Sequence, residues 1–194
     1  MNTNSEQHGE RLSAAFAYAA AKHAGQRRKG TTIPYVAHLM GVSSIALEFG
    51  ADTDEAMAAL LHDAPEDQGG RPVLDEIRAR FGSRVGDIVE GCTDSFEDPK
   101  PAWRLRKERY IAHLAGGSAS ILLVSAADKL HNARAILADY RAQGEALWPR
   151  FNGGREGTLW YYRALVEAFR RRGASPIVAE LDRVVTDLER LAIS

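Results

Sequence analysis

Glycine pairs and single prolines cut this chain into apolar-periodic stretches of helical length. Almost nothing in it alternates with the period of two that a half-buried strand requires. Ala, Leu, Arg and Glu dominate the stretches, and β-branched runs are scarce. The pattern predicts helices over 11–22, 34–48, 56–67, 74–81, 84–92, 102–114, 119–142, 155–172 and 176–192. Pro34 suits a first helical turn, Gly50 a C-terminal cap, and Asp52 or Asp54 an N-terminal cap. Residues 25–32, 68–72 and 94–101 read as loops, and 148–154 as a connector. Pro65 lacks the N–H that would bond Leu61, so it is expected to kink its helix just after His62 and Asp63. No repeat or interdomain linker is visible. The expectation is an all-α bundle of about ten helices in a single domain over 1–194. Its core covers roughly 10–170, with a C-terminal helix over 175–194.

Composition narrows the functional classes. A chain of 194 residues, 45% apolar and 26% charged, is ordinary for one globular domain. The net charge of −1 supplies no basic field for holding nucleic acid without specificity. The longest apolar runs, 14–21 and 121–124, fall short of the ~20 residues a membrane span needs. Residues 1–10 are polar and contain no signal-peptide core. Cys92 is the lone cysteine and cannot form an intrachain disulfide. These features lead us to expect a cytoplasmic protein without nucleic-acid or membrane partners.

Chemistry is concentrated where polar residues interrupt apolar helical runs. His38 follows Pro34-Tyr35-Val36-Ala37, His62 and Asp63 follow Ala58-Ala59-Leu60-Leu61, and Asp128 ends Leu122-Leu123-Val124-Ser125-Ala126-Ala127. A carboxylate buried without a partner costs several kcal/mol, so the fold must supply one. Singly, His38 reads as a core or capping histidine, and Asp128 as a partner of Lys129 or Arg134. Jointly, His38, His62, Asp63 and Asp128 can ligate one divalent ion. Mixed nitrogen and oxygen ligation suits Mn²⁺ or Fe²⁺ better than a structural zinc. Glu66 and Asp67 follow His62 and Asp63 by four residues, one helical turn along, where a carboxylate can activate an attacking water. With Asp63, Glu66, Asp67 and Asp128 the local charge is −4, and a divalent ion leaves −2.

The order His…His-Asp…Asp resembles the HD-domain metal-dependent phosphohydrolases. The flanking blocks narrow the likeness. Gln26-Arg27-Arg28-Lys29-Gly30 with Pro34-Tyr35-Val36-Ala37-His38, then Leu60-Leu61-His62-Asp63-Ala64-Pro65-Glu66-Asp67, resemble the RelA/SpoT-homologue hydrolase domain. So do Ile88-Val89-Glu90-Gly91-Cys92-Thr93-Asp94 and Ala127-Asp128-Lys129-Leu130-His131-Asn132-Ala133-Arg134. The resemblance covers roughly 10–170 and implies an HD-domain helical bundle. It further implies a Mn²⁺ site, Fe²⁺ and Zn²⁺ being the alternatives. The implied activity is removal of pyrophosphate from the 3′ position of (p)ppGpp or of the adenosine analogue (pp)pApp. By length the chain looks like a stand-alone small alarmone hydrolase.

Residue by residue, the resemblance makes His38, His62, Asp63 and Asp128 the metal ligands and Glu66 and Asp67 the catalytic acids. Arg27, Arg28, Lys29 and Asn132 become substrate contacts. Tyr35 and Arg134 join them on chemical grounds, Tyr35 as a ring that can stack on a base and Arg134 as a further phosphate cation. Asn132 follows Asp128 by four and so faces the same site. Ala135 stands where long relatives often carry threonine, and Pro65 where a β-branched residue is common. One ring of Trp160-Tyr161-Tyr162 can line a nucleotide pocket, the rest being core. The partner is a small-molecule nucleotide, with the oligomeric state unassigned. Rival readings are an NADPH 2′-phosphatase, an HD-type nucleotidase and a non-catalytic nucleotide sensor.

Overall fold

The regular structure consists of α1 (Thr3–Lys22), α2 (Val36–Glu48), α3 (Thr53–Leu61), α4 (Ala64–Gln68), α5 (Arg71–Phe81), α6 (Ser83–Cys92), α7 (Trp103–Leu114), α8 (Ala119–Gln143), α9 (Gly154–Arg171) and α10 (Pro176–Ile193). A 3₁₀ helix, Gly144–Arg150, joins α8 to α9. These come from a computed structural model that describes residues 3–97 and 99–193. Among them no strand forms, and Arg27 and Pro34 make an isolated antiparallel bridge. No helix of the described residues is long and apolar enough to cross a membrane.

Local chemistry explains most boundaries. Asp52 accepts from the Glu55 N–H at 3.0 Å while Glu55 accepts from the Asp52 N–H at 2.8 Å, a reciprocal cap that starts α3. Gly50, at φ +91°, turns the chain after α2 through a conformation that side chains disfavour. Pro34 does not open α2 as expected. The Tyr35 N–H bonds the Gln26 carbonyl at 2.9 Å and Arg28 N–H bonds Ile33 at 2.9 Å, so this segment belongs to the basic loop. The expected helix over 56–67 is two helices, not one kinked helix. With no N–H on Pro65, α3 ends at Leu61, and hydrogen bonding resumes from Asp67 N–H to the Asp63 carbonyl at 3.0 Å. Part of the expected connector 148–154 lies in the 3₁₀ helix.

The break matters because of where it falls. Ala56–Leu61 of α3 is buried on every side, as expected of a helix that is apolar all round. It packs against α1, α2, α6 and α8. The 25 residues of α8 run about 37 Å through the molecule. They contact α2, α3 and α6 and carry α10 along another side. α9 reaches α10 through Arg163, which bonds Glu189 at 3.0 Å and Asp182 at 2.5 Å. Leu39, Leu61, Leu130 and Leu165 are fully buried between these helices. The α3–α4 break therefore presents His62 and Asp63 at the centre of the bundle, facing α2 and α8.

Candidate metal centre and adjoining cavity

Three helical positions converge on one buried point. His38 of α2, His62 after α3 and Asp128 of α8 are all buried, with ligand atoms within 4.8 Å of one another. His62 Nδ1 lies 2.8 Å from the Ala59 carbonyl. A carbonyl can only accept, so this nitrogen carries the hydrogen and Nε2 is left facing the carboxylates. Among the described residues that Nε2 is buried without a hydrogen-bond partner. It sits 3.0 Å from Asp63 Oδ2 and 3.6 Å from Asp128 Oδ1. His38 Nε2 is 3.4 Å from Asp63 Oδ2 and 3.3 Å from Asp128 Oδ1. Two ligands held about 2.1 Å from a common ion at octahedral to tetrahedral angles lie roughly 3.0–3.4 Å apart. The donor set thus fits one divalent cation, and the orphaned Nε2 is the atom such a cation satisfies.

Neighbouring groups orient these donors. Tyr35 donates to Asp63 Oδ2 at 2.7 Å, and burial followed by the Asp63 charge pushes its phenol pKa up. His38 Nδ1 and His131 Nδ1 are 2.9 Å apart. Burial, then the neighbouring His38 and Arg28, lowers His131 to about 4, so it is neutral and can accept. His131 gets this close because position 41 is glycine: a Cβ there would lie 2.3 Å from its Cδ2. Burial disfavours charge on Asp128, but the Lys129 ammonium at 2.6 Å and both imidazoles hold its carboxyl well below the usual range. Of the two partners expected for Asp128 taken singly, the fold supplies Lys129.

A cavity of about 430 Å³ adjoins the cluster and is lined by Tyr35, Glu66 and Asn132 from its direction. Its wall carries five cations, Arg28, Lys29, Arg106, Lys107 and Arg150, against two carboxylates, Glu66 and Asp139. That balance attracts a polyanion. Ile33, Trp103, Phe151, Tyr161 and Tyr162 add apolar and aromatic surface. Asn132 ties the cavity to the cluster, donating to Asp128 Oδ1 at 2.5 Å and accepting from Arg28 at 2.9 Å.

The sequence-derived site residues are not all gathered. Arg28, Lys29, Tyr35, Asn132 and Glu66 line the cavity. Arg134 does not: its guanidinium crosses to Glu180 of α10 at 3.1 Å because it points off the opposite face of α8. Arg27 also stays out. It caps the Thr32 carbonyl at 2.5 Å, closing the basic loop on itself. Glu66 accepts from Lys100 at 2.8 Å and from the Asp94 N–H at 3.3 Å. Asp67 opens to solvent and accepts from Gln26 at 2.8 Å, and partial burial and the nearby Asp63 raise its pKa. Trp160 stacks under Arg104, with the guanidinium carbon 3.2 Å from the ring centroid, while Tyr161 and Tyr162 face the cavity.

Sequence reasoning missed Arg106, Lys107 and Arg150. The run Trp103-Arg104-Leu105-Arg106-Lys107-Glu108-Arg109 holds four cations to one acid, a signal that marks α7 as a basic face. Asp94 aims two of them, pairing with Arg106 and bonding Lys107 at 3.1 Å. Nothing local marks Arg150.

A buried His, a His-Asp pair at a helix break and an Asp on a long central helix define an HD-type helical metal site. The chain belongs to the HD domain family, whose model matches residues 15–159. Over 120 residues it is 42% identical to the Xenopus tropicalis guanosine-3′,5′-bis(diphosphate) 3′-pyrophosphohydrolase MESH1, covering 60% of this chain and 64% of that protein. Over 130 residues it is 32% identical to the enzyme of the same activity from Aquifex aeolicus, covering 67% of this chain and 18% of that protein. The chain thus spans less than two thirds of the length of both curated relatives. The solved structure of a metazoan SpoT ortholog, described as hydrolysing ppGpp, superposes with a TM-score of 0.76 at 28% identity, covering 92% of this chain and 95% of that one.

Proposed function

We propose that the chain is a Mn²⁺-dependent hydrolase that removes pyrophosphate from the 3′ position of a nucleotide such as ppGpp or ppApp. The carrying observation is the junction of a divalent-ion donor set with a cavity bearing five cations, joined through Asp128, Asn132 and Arg28. A monophosphate would need far less cationic compensation. The named activity of the Xenopus and Aquifex relatives supports the same reading.

In this reading His38, His62, Asp63 and Asp128 hold the ion. When bound, a divalent ion offsets phosphate charge and lowers the pKa of water in its reach. Arg28, Lys29, Arg106 and Lys107 bind the polyphosphate, guanidinium forks fixing its oxygens. Glu66 and Asp67 follow the His62-Asp63 turn, and Glu66, on the cavity wall, takes the proton from the attacking water. The water oxygen bonds to the phosphorus next to O3′, the P–O3′ bond breaks, and O3′ regains a proton. The products are the 3′-hydroxyl nucleotide and pyrophosphate. Cys92, a single buried thiol whose pKa burial pushes up to about 11, suits a reducing cytoplasm.

The test is a Mn²⁺ competition panel of ppGpp, ppApp, NADPH and deoxynucleoside monophosphates, scored by the phosphate species released. Pyrophosphate from ppGpp or ppApp is the expected result. Orthophosphate alone, from NADPH or a monophosphate, would move the enzyme to a phosphatase reading.

A further inference from the structure

One face of α8 runs the length of the site. Asp128, Asn132, Ala135, Ile136 and Asp139 recur at helical spacing, so they form one stripe. Asp128 belongs to the metal cluster, while the other four line the cavity. Eleven residues of helix separate Asp139 from Asp128, about 16 Å of rise. Asp139 therefore marks the far pole, a distance of the order of a nucleoside with its diphosphate tail.

That pole is built differently from the rest of the cavity. Asp139 pairs through Oδ2 with Arg150, whose second terminal nitrogen donates to Gln143 at 3.2 Å. The Arg150 stem lies over Gly30 of the basic loop, where a Cβ would come within 2.9 Å of Nε at φ +72°. The side chain is thus fixed between α8 and the basic loop and is mostly covered, with 15% of it exposed against 35% for Asp139. Among the described residues, Asp139 Oδ1 receives no hydrogen bond.

We propose that Asp139 reads the base of the bound nucleotide and selects guanine over adenine; this rests on the nucleotide 3′-pyrophosphohydrolase reading above. A carboxylate repels phosphate, so the far pole takes the neutral end of the substrate. A carboxylate only accepts hydrogen bonds. Guanine presents N1–H and an N2 amino hydrogen side by side, and both can donate to Asp139. Adenine presents one amino donor beside the N1 lone pair, which would face the carboxylate oxygen. Arg150 is held to Asp139 and Gln143 through its two terminal nitrogens. A site built to accept from a substrate N–H discriminates strongly against an analogue lacking it.

The experiment compares kcat/KM for ppGpp and ppApp with Mn²⁺, using the full chain and its Asp139→Asn variant. The wild-type chain is expected to favour ppGpp by about tenfold or more, and Asp139→Asn to lower that ratio about tenfold, since an amide can both donate to adenine N1 and accept from its amino group. Mn²⁺ affinity should not change. A misfolded fraction cancels in the ratio. Asp139→Glu, which keeps the charge opposite Arg150, should shift the ratio less. Calorimetric Kd values for the two compounds carry the same ratio even where nothing is hydrolysed, so failure of the hydrolase reading remains separable. An unchanged ratio in Asp139→Asn, or a wild-type chain that handles ppApp as well as ppGpp, overturns the proposal.

Discussion

The Tyr35 hydroxyl donates to Asp63 Oδ2 at 2.7 Å, the same oxygen that faces both imidazoles of the cluster. One phenol thus orients a carboxylate that both imidazoles approach. Tyr35→Phe removes that donor and little volume. Its expected effect is a loss of Mn²⁺ affinity of about tenfold or more, read by metal titration. Unchanged affinity would show that Asp63 is held without Tyr35.

Gly41 admits His131 to the side of His38. In Gly41→Ala the new methyl would lie 2.3 Å from the His131 ring, and the ring must move. The Nδ1–Nδ1 hydrogen bond at 2.9 Å is then lost. Weaker Mn²⁺ binding by about tenfold is expected, with helical content retained. Circular dichroism alongside metal titration separates this from unfolding.

A metal held as proposed would compete with the proton at His62. Burial disfavours the imidazolium, but Asp63 and Asp128 outweigh it and raise the His62 pKa well above 6.5 in the metal-free chain. Stability contributed by that proton is fully present below pH 6.5 and is lost as pH rises through the folded value. A divalent ion takes the proton's place and needs the neutral imidazole. The increase in Tm produced by Mn²⁺ should therefore grow between about pH 6 and about pH 9. Scanning calorimetry at both limits checks this, and a gain that shrinks with pH contradicts it.

Glu66 touches the cavity and the cationic wall but not the buried donors. Glu66→Gln should leave bound metal unchanged and lower kcat by about 10²- to 10⁴-fold. Metal content of the purified variant and its kcat are measured together. Loss of both in parallel would assign Glu66 to holding the cluster rather than to moving the proton.

Arg28 links the basic loop to Asn132 at 2.9 Å. Arg28→Ala should chiefly raise KM, by about tenfold, as loss of one charge-assisted phosphate contact does. A variant with unchanged KM and reduced kcat would instead make Arg28 a group acting only in the transition state.

Much of this protein was legible before the fold was seen, because helices leave local traces. The spacing of apolar residues, the Asp52 cap and Gly50 located most elements of the bundle. Polar residues stranded in apolar runs marked His38, His62, Asp63 and Asp128, since burial of such groups demands a partner. Asn132 followed from the four-residue turn that places it over Asp128. Pro65 signalled a disturbance after His62-Asp63, and only its extent, a complete break, was misjudged.

Other features depended on distances that local spacing does not encode. Arg134 shares a helix with Asp128, yet Glu180 of α10 draws it off the opposite face. Arg106, Lys107 and Arg150 reach the cavity because α7 and the 3₁₀ helix pack around it, far along the chain from His38. The amino-acid sequence by itself determined which groups could carry the chemistry and which helical turn each occupies, because hydrogen bonding and side-chain periodicity act over a few residues. The tertiary structure alone decided which cations share a wall with them, because that choice is made by packing between helices dozens of residues apart.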